Sequence, residues 1–536
     1  MTKREPRRLE LDRQELETIL ERTRAGALSP EDHEKLKAAV DTLGILTREL
    51  ETKGTSIDRL RRLLFGPRTE KTSRVLNEVA GDQGGVISNE KTAKEKRPGH
   101  GRHGVAAYLG ADQVKVVHES LQHGVRCPAC ARGKVYLQAE PATLVRVKGM
   151  APLSATVYEL DRLRCNACGG VFTAEAPAGV GTAKYDETAA AMTGLFKYGA
   201  GFPFYRLERL EKNLGIPFPA ATQWEVVERA AGLLGPAHDE HIRQAAQGEV
   251  LYNDDTTMKI LEMMPSEPEP GTKERTGIFT SGIVSTADGH KVALFFTGRQ
   301  HAGENLERVL VQRTRELAPP IQMCDALSRN TKGEFETIVA NCLAHGRRQF
   351  VDVAGSFPAE CRHVLETLRD VYRNDAITRD QAMSAAERLA FHQKQSGPLM
   401  DGLETWFREQ IEQHLVEPNS GLGEAITYMQ KHWLKLTLFL RKPGAPLDNT
   451  ICERALKRVV LHRKNALFYK TENGARVGDL FMTLIHTAEL NQVNPFDYLV
   501  ALQRNARRLA ENPGAWMPWN YQETLAQITT GLSPPN

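Results

Sequence analysis

The sequence has no apolar run approaching the length of a membrane-spanning helix, and its opening stretch, MTKREPRRLELDRQ, lacks an apolar signal core. Both absences speak against a bundle of membrane helices and a secreted product, and predict a cytoplasmic protein. An excess of charge of one sign is missing too. Lys and Arg number 70 against 67 Asp and Glu, a net charge of +3, so a polyanionic partner must be met by local clusters and not by the chain as a whole. Cysteine is scarce, eight in 536 residues, and four of the eight fall in two C-x-x-C pairs. In a reducing compartment that spacing favours a metal over disulfides. What is present is ordinary for globular protein: 41% hydrophobic and 26% charged residues, in a chain too long for one core.

In chain order, residues 1–71 read as a helical arm. Leu36, Leu43, Leu50, Ile57 and Leu64 recur every seventh residue, with Leu46 and Leu60 in the companion position. This suits a coiled coil that would make a homo-oligomer, or a helix packed on its own chain; Gly44, Lys53 and Gly54 interrupt the seam. Arg59, Arg61, Arg62, Arg68, Lys71 and Arg74 then form a basic arm or a solvated face. Residues 72–104 lose apolar periodicity and read as a linker. In 105–180, Cys127-Pro-Ala-Cys130 and Cys165-Asn-Ala-Cys168 flank alternating stretches, ATLVRV and SATVYEL, that read as strands. Four thiolates from two tight turns complete a tetrahedral, structural Zn2+ site, that is, a zinc ribbon; a redox pair or free thiols are the alternative. Residues 181–247 give helices broken at Gly215-Ile216-Pro217, the outline of a helix-turn-helix DNA-binding module or of a non-binding three-helix unit.

From Glu249 the period changes. VLYNDDT, GIFTSGIVS and HKVALFFT read as three strands, followed by a helix near 303–316, a strand PIQMCD, and a fifth strand across Ile338 to His345. Residues 346–445 read as an all-α insertion anchored by Trp406, Trp433 and Phe439. The core resumes over 446–500, and 501–536 form a tail. The expected class is a multidomain α+β protein with a ribonuclease-H-like core, its first part at 248–345.

Three acids stand where such a core concentrates chemistry: Asp254 and Asp325 at strand ends and Glu453 on a helix. That helix begins near Asp448 or Asn449, either of which can cap it. It buries Ile451, Cys452, Ala455, Leu456, Val459 and Val460, and carries Arg454, Lys457, Arg458, His462, Arg463 and Lys464 outside. An ordinary amphipathic helix with a Glu453–Lys457 pair is the plainer reading. Three converging carboxylates can hold two Mg2+ ions, with Mn2+ able to substitute, for phosphoryl transfer without a covalent protein intermediate. Asp254 is preferred as the first acid, supported by Asp255 and Thr256. Asp255 is its rival, because neighbouring strand residues face opposite sides.

These residues resemble a known family, the insertion-sequence-sixty-six transposases, a branch of the DDE transposases. The triplet Asp254-Asp255-Thr256, the stretch Ala344-His345-Gly346-Arg347-Arg348-Gln349-Phe350, the run Asp448-Asn449-Thr450-Ile451-Cys452-Glu453-Arg454 and the following Arg463-Lys464-Asn465-Ala466-Leu467-Phe468 match its blocks. Asp325-Ala326-Leu327, Thr450 and Ala131 depart from the usual pattern. The resemblance implies a DNA transposase that binds terminal inverted repeats, cleaves, and joins 3′-ends to target DNA in the bacterial cytosol or nucleoid, with accessory transposition proteins as further partners. It places His345, Arg347 and Arg348 near the site, with the two arginines on phosphate; a satisfied core histidine is the other reading of His345. The cations that flank Glu453, Arg454, Lys457, Arg458, Arg463 and Lys464, suit a DNA backbone by their clustering. A DNA-binding repressor or architectural protein with an idle nuclease fold is the alternative; a nuclease without strand transfer is a third reading.

Overall fold

The computed structural model describes residues 183–264, 276–331 and 333–530, most of 114–181, and short pieces before that (29–30, 32–37, 72, 75, 106 and 111). Most of the expected coiled coil and linker, the six basic residues of the arm, and Cys165 lie outside the described residues. The chain divides into two units, one of which is Gly84–Pro152.

In that smaller unit the first cysteine pair sits in a tight hairpin. Val135 N–H donates to the Val125 carbonyl and Cys127 N–H to the Gly133 carbonyl, each at 2.8 Å, and Arg126 bridges to Lys134. In the larger unit, β1 (Arg162–Arg164) and β2 (Val171–Thr173) pair antiparallel on either side of the second cysteine pair. The strands expected over ATLVRV and SATVYEL are not formed among the described residues there. Among the described residues their apolar side chains are left exposed: Leu144 is 93% and Val157 85% exposed. An alternating pattern becomes a strand only when a neighbour pairs with it.

Three helices follow: α1 (Glu187–Gly194), which runs into a π-helical turn at Leu195–Gly199, then α2 (Phe204–Asn213) and α3 (Ala220–Ala246). The sheet is built from β3 (Val250–Thr257), β4 (Phe279–Ala287), β5 (His290–Gly298), β6 (Ile321–Cys324) and β7 (Ile338–Asn341), with α4 (Ala302–Leu310) between β5 and β6. Its order is β5-β4-β3-β6-β7; β3, β4 and β5 form an antiparallel meander, and β6 and β7 run parallel to β3. Helices cover both faces, so β3 reads Val-Leu-Tyr and not as an alternation.

The fifth strand is shorter than the sequence suggests. It stops at Asn341, and α5 (Leu343–Val353) starts two residues later. Leu343, Gly346, Phe350 and Val351 are buried at helical spacing, and that stripe outweighs the short apolar run. The α-helices α6 (Pro358–Asp380), α7 (Ala385–Gln395), α8 (Gly397–Glu412) and α9 (Gly421–Leu436) follow, and α6, α8 and α9 form a second core with α5 and with residues of β6 and β7. Trp433 and Phe439 are buried there, as expected, but Trp406 is only half-buried and the fully buried Phe407 takes its place.

The chain returns to the sheet with α10 (Thr450–Ala466) and α11 (Glu472–Leu490), then α12 (Pro495–Arg504), α13 (Ala506–Glu511) and α14 (Tyr521–Thr529). Helix α11 closes the open edge of β5. Asn491, Thr487, Thr483 and Asp479, one every fourth residue, accept hydrogen bonds from the N–H groups of Lys291, Ala293, Phe295 and Thr297, one every second residue. Four helical residues rise about 6 Å and two strand residues nearly 7 Å, so the two series stay in step. An exposed edge that would recruit other strands is thereby satisfied internally. Asp479 accepts from both Thr297 N–H (2.6 Å) and its hydroxyl (2.7 Å), yet burial pushes its carboxyl up to about 7. Asp479→Ala is expected to cost about 1–3 kcal/mol for the buried N–H left unpaired, read as a lower urea midpoint with an unchanged slope.

Candidate active site

Strand β3 pairs with β6 in parallel, Val250 with Ile321 and Tyr252 with Met323. Two residues further along each strand come Asp254 and Asp325. The same register sets the two acids level with side chains on one face; Asp325 stands just past the end of β6, but Asp254, expected at a strand end, lies inside β3, which stays paired with β4 to Thr257. On the other side of β3, Asp254 lies opposite Gly282 of β4. A Cβ at Gly282 would stand 3.0 Å from the Leu456 side chain and 3.5 Å from Cys452 Sγ, both on α10. Directly opposed strand residues share a face, so α10 lies on the Asp254 face of the sheet, and the missing side chain lets it come close. The Cys452 thiol donates to the Gly282 carbonyl at 3.2 Å. Glu453, in the first turn of α10, thus reaches the same corner.

The electrostatics agree. The Asp254 carboxyl is pushed up to about 7, first by burial and then by the negative charges of Asp325, Asp255 and Glu453, against a hydrogen bond from the Asp255 N–H. Like charges in one poorly hydrated corner resist simultaneous ionisation, and a cation among them would relieve the conflict. Glu453 Oε1 is buried and has no hydrogen-bond partner; neither has His345 Nδ1, 3.7 Å away at the start of α5.

Buried asparagines tie the three acids together. Asn330 Nδ2 donates to Asp325 Oδ1, which also accepts from Leu327 N–H at 3.2 Å. The Asn330 carbonyl accepts from Asn253 Nδ2 at 2.9 Å and from Gln322 Nε2 at 2.7 Å. The carbonyl of Asn253, the residue before Asp254, accepts from Asn449 Nδ2 at 3.1 Å. Asn449 is fully buried and directly precedes α10; the cap itself is a bond from Thr450 N–H to Asp448 Oδ1 at 3.0 Å. Asn253 therefore joins the loop that holds Asp325 to the helix that carries Glu453. In the sequence Asn449 stands out as a capping candidate and as part of a family block, whereas Asn253 and Asn330 carry no signal of their own. Their role depends on pairing across 77 and 196 residues of chain, which no local pattern encodes.

Asp255 points the other way. Its carboxylate, 2% exposed, meets His301 Nδ1 at 2.8 Å and Arg329 Nη2 at 3.5 Å. The alternation of the strand thus separates the two rivals, Asp254 toward Glu453 and Asp255 toward α4.

The cations divide into two groups. Arg454, Lys457 and Lys464 are exposed along α10, and Arg347 and Arg348 are half-buried on α5. Arg458 is engaged by Glu489 (3.2 Å), Arg463 by the hydroxyls of Thr256 (3.2 Å) and Thr257 (2.6 Å), and Arg347 donates to the Thr72 hydroxyl at 3.3 Å. His462 does not belong to the basic face expected for it. It is buried between the rings of Tyr198 and Tyr469, and burial lowers its imidazole to about 3, so it is neutral.

Of the four paired cysteines, Cys127 is half-buried and Cys130 and Cys168 are exposed. The Cys130 thiol is held below its ordinary value by the N–H groups of Gly133 and Arg132 and by the Cys127 thiol. Backbone donors aimed at a sulfur suit a thiolate bound to a metal.

A family model described as Transposase IS66 family matches residues 183–477, the span that contains α1 through β7, all three acids and the start of α11. Similarity to proteins of Sinorhizobium fredii (strain NBRC 101917 / NGR234) extends further. Uncharacterized protein y4jD is 26% identical over 519 residues, covering 91% of this chain and 98% of the relative. Uncharacterized protein y4qI is 26% identical over 520 residues (93% and 92%), and Uncharacterized protein y4hP 24% over 509 residues (88% and 88%).

Proposed function

Because this chain belongs to the IS66 family of transposases, we propose that it binds the terminal inverted repeats of a mobile element, cleaves DNA there and transfers the 3′-ends to target DNA. The observation that carries this reading is the carboxylate corner: Asp254 within the field of Asp325 and Glu453, beside a buried Glu453 oxygen that has no hydrogen-bond partner. The mixed sheet, with its order β5-β4-β3-β6-β7 and its acids within the central strand, just past the neighbouring strand and on a returning helix, supports a ribonuclease-H-like core.

The oxygen donors of Asp254, Asp325 and Glu453 fit hard divalent cations. Two Mg2+ ions bound by them, with Mn2+ as substitute, would activate the attacking oxygen and stabilise the leaving oxygen of the scissile phosphate. The chain's own residues do the rest. Asn330 and the Leu327 N–H orient Asp325, and Asn449 sets the start of the helix that presents Glu453. Arg347 and Arg348 reach phosphate from α5, while Arg454, Lys457 and Lys464 receive the DNA backbone along α10, with Arg458 and Arg463 at its flank. The hairpin of Cys127 and Cys130 offers two thiolates that support a structural Zn2+ site. The α2–α3 segment, the zinc ribbon and the amino-terminal arm serve end recognition and assembly of a homo-oligomer, with accessory proteins as further partners.

The test is cleavage of a duplex that carries the inverted repeats flanking the gene, with Mg2+ and with EDTA. Mg2+-dependent nicking at the repeat ends is expected; absence of nicking under all metal conditions would reject the reading. The pH dependence follows from Asp254. Cation binding requires the carboxylate, so at limiting Mg2+ cleavage is expected to rise through about pH 7 and to level off above it. Stability without metal runs the other way. The folded state holds a proton on Asp254 that the unfolded chain releases near pH 4, so stability in EDTA falls as pH rises from about 4 to 7. Asp479 adds a contribution of the same sign. Melting temperatures of wild type and Asp254→Asn between pH 5 and 8 check this: the variant has the flatter profile.

A further inference from the structure

We propose that Cys342, His345 and Glu453 form a second kind of metal site at the acid corner, one that takes a thiophilic cation of the Zn2+ class. Among the described residues, the ligand atoms of these three side chains lie within 4.8 Å of one another. His345 Nδ1 and Glu453 Oε1 are 3.7 Å apart, too far for a hydrogen bond, yet near the roughly 3.3 Å that separates N and O ligands of one tetrahedral zinc. Both atoms are buried without a hydrogen-bond partner, which costs free energy unless something else binds there. A cation held between them satisfies both at once.

The third ligand keeps its proton until a metal displaces it: burial pushes the Cys342 thiol up to about 12, against backbone N–H donors at Asn449 and His345. Cys342 is a free, fully buried cysteine, and the backbone N–H of Asn449 donates to its sulfur at 3.3 Å. Bonds between the starts of two helices bring the ligands together. Leu343 N–H donates to the Leu447 carbonyl, and the Asn449 contact to Cys342 lies beside it. Cys342 and His345 then stand one turn apart at the head of α5, and Glu453 one turn into α10. The set is therefore preorganised by two rigid elements. One sulfur, one imidazole nitrogen and one carboxylate oxygen select Zn2+, Co2+ or Cd2+ over Mg2+. Binding breaks the Cys342 S–H bond and releases that proton to solvent as the sulfur–metal bond forms.

One consequence rests on the functional reading above. Glu453 is shared between this site and the proposed Mg2+ site, so Zn2+ withdraws it and slows cleavage in competition with Mg2+.

The metal-binding test does not depend on DNA. Metal-free, full-length protein is titrated with Co2+, alongside Cys342→Ala, His345→Ala and Glu453→Gln, with circular dichroism to establish folding. Each folded variant is expected to bind one equivalent less than wild type. Cys342→Ala should also lose part of the thiolate-to-cobalt absorption, while the part due to the other cysteines persists. Equal equivalents and unchanged absorption in the folded variants would overturn the site. If wild type cleaves DNA with Mg2+ while the cobalt equivalents do not differ, this inference fails and the transposase reading stands. The opposite pair of results rejects the transposase reading and leaves the metal site.

Discussion

Asp254→Asn and Glu453→Gln are each expected to lower the rate of end cleavage by about a thousandfold or more, with binding to the inverted repeats unchanged. Each substitution keeps the size of the side chain and removes one anionic donor from the corner. Losing about 4 kcal/mol of charge stabilisation in the transition state gives a change of that size. DNA binding persists because the exposed cations of α10 and those of α5 are untouched. Asp255→Asn provides the contrast. Its side chain faces His301 and Arg329 across the strand from Asp254, so a smaller effect is expected, through the position of the loop holding Asp325. Single-turnover cleavage and a gel-shift titration measure the two quantities separately. If Asp255→Asn lost activity as completely as Asp254→Asn, the assignment of the first acid would fail.

The second large effect comes from a residue with no side chain. Gly282→Val places two methyl groups beyond a Cβ that already stands 3.0 Å from Leu456. Leu456 and Cys452 belong to the buried face of α10, so the helix has to move off the sheet. A displacement near 1 Å costs about a hundredfold in a reaction that depends on positioned groups. Overpacking adds about 1–3 kcal/mol of destabilisation, partly offset by valine's preference for strands. Cleavage should fall at least a hundredfold at a temperature where the variant remains folded, and Gly282→Ala should lie between variant and wild type. A Gly282→Val enzyme with near-normal cleavage would show that α10 does not need this close approach. The same measurements on Asn253→Ala probe the polar tie that parallels the apolar one.

The strands of the sheet and the long helices were legible in advance because their signals are local. GIFTSGIVS and HKVALFFT carry β-branched and aromatic runs around an Ala287-Asp288-Gly289 turn, and the structure pairs them as β4 and β5. Two stretches read as strands and are not. At Leu343 a buried stripe at helical spacing outweighs the short apolar run, and SATVYEL alternates but pairs with no neighbour among the described residues. Phe407 displaced Trp406 as an anchor because the two are adjacent on α8, and only the packing decides which faces inward. A histidine among arginines reads as part of the basic face, and only its burial in the folded chain keeps His462 neutral.

The candidate acids, the paired cysteines and the family motifs can all be read from the order of residues, because motif chemistry is written in short stretches. That Asp254 and not Asp255 looks toward Glu453, that Gly282 admits the acid helix, and that Asn253 links residues 77 and 196 positions away emerged only from the folded chain. Strand register and helix docking are long-range contacts. Their energies depend on which surfaces meet, and a linear pattern of side chains does not specify its own partner.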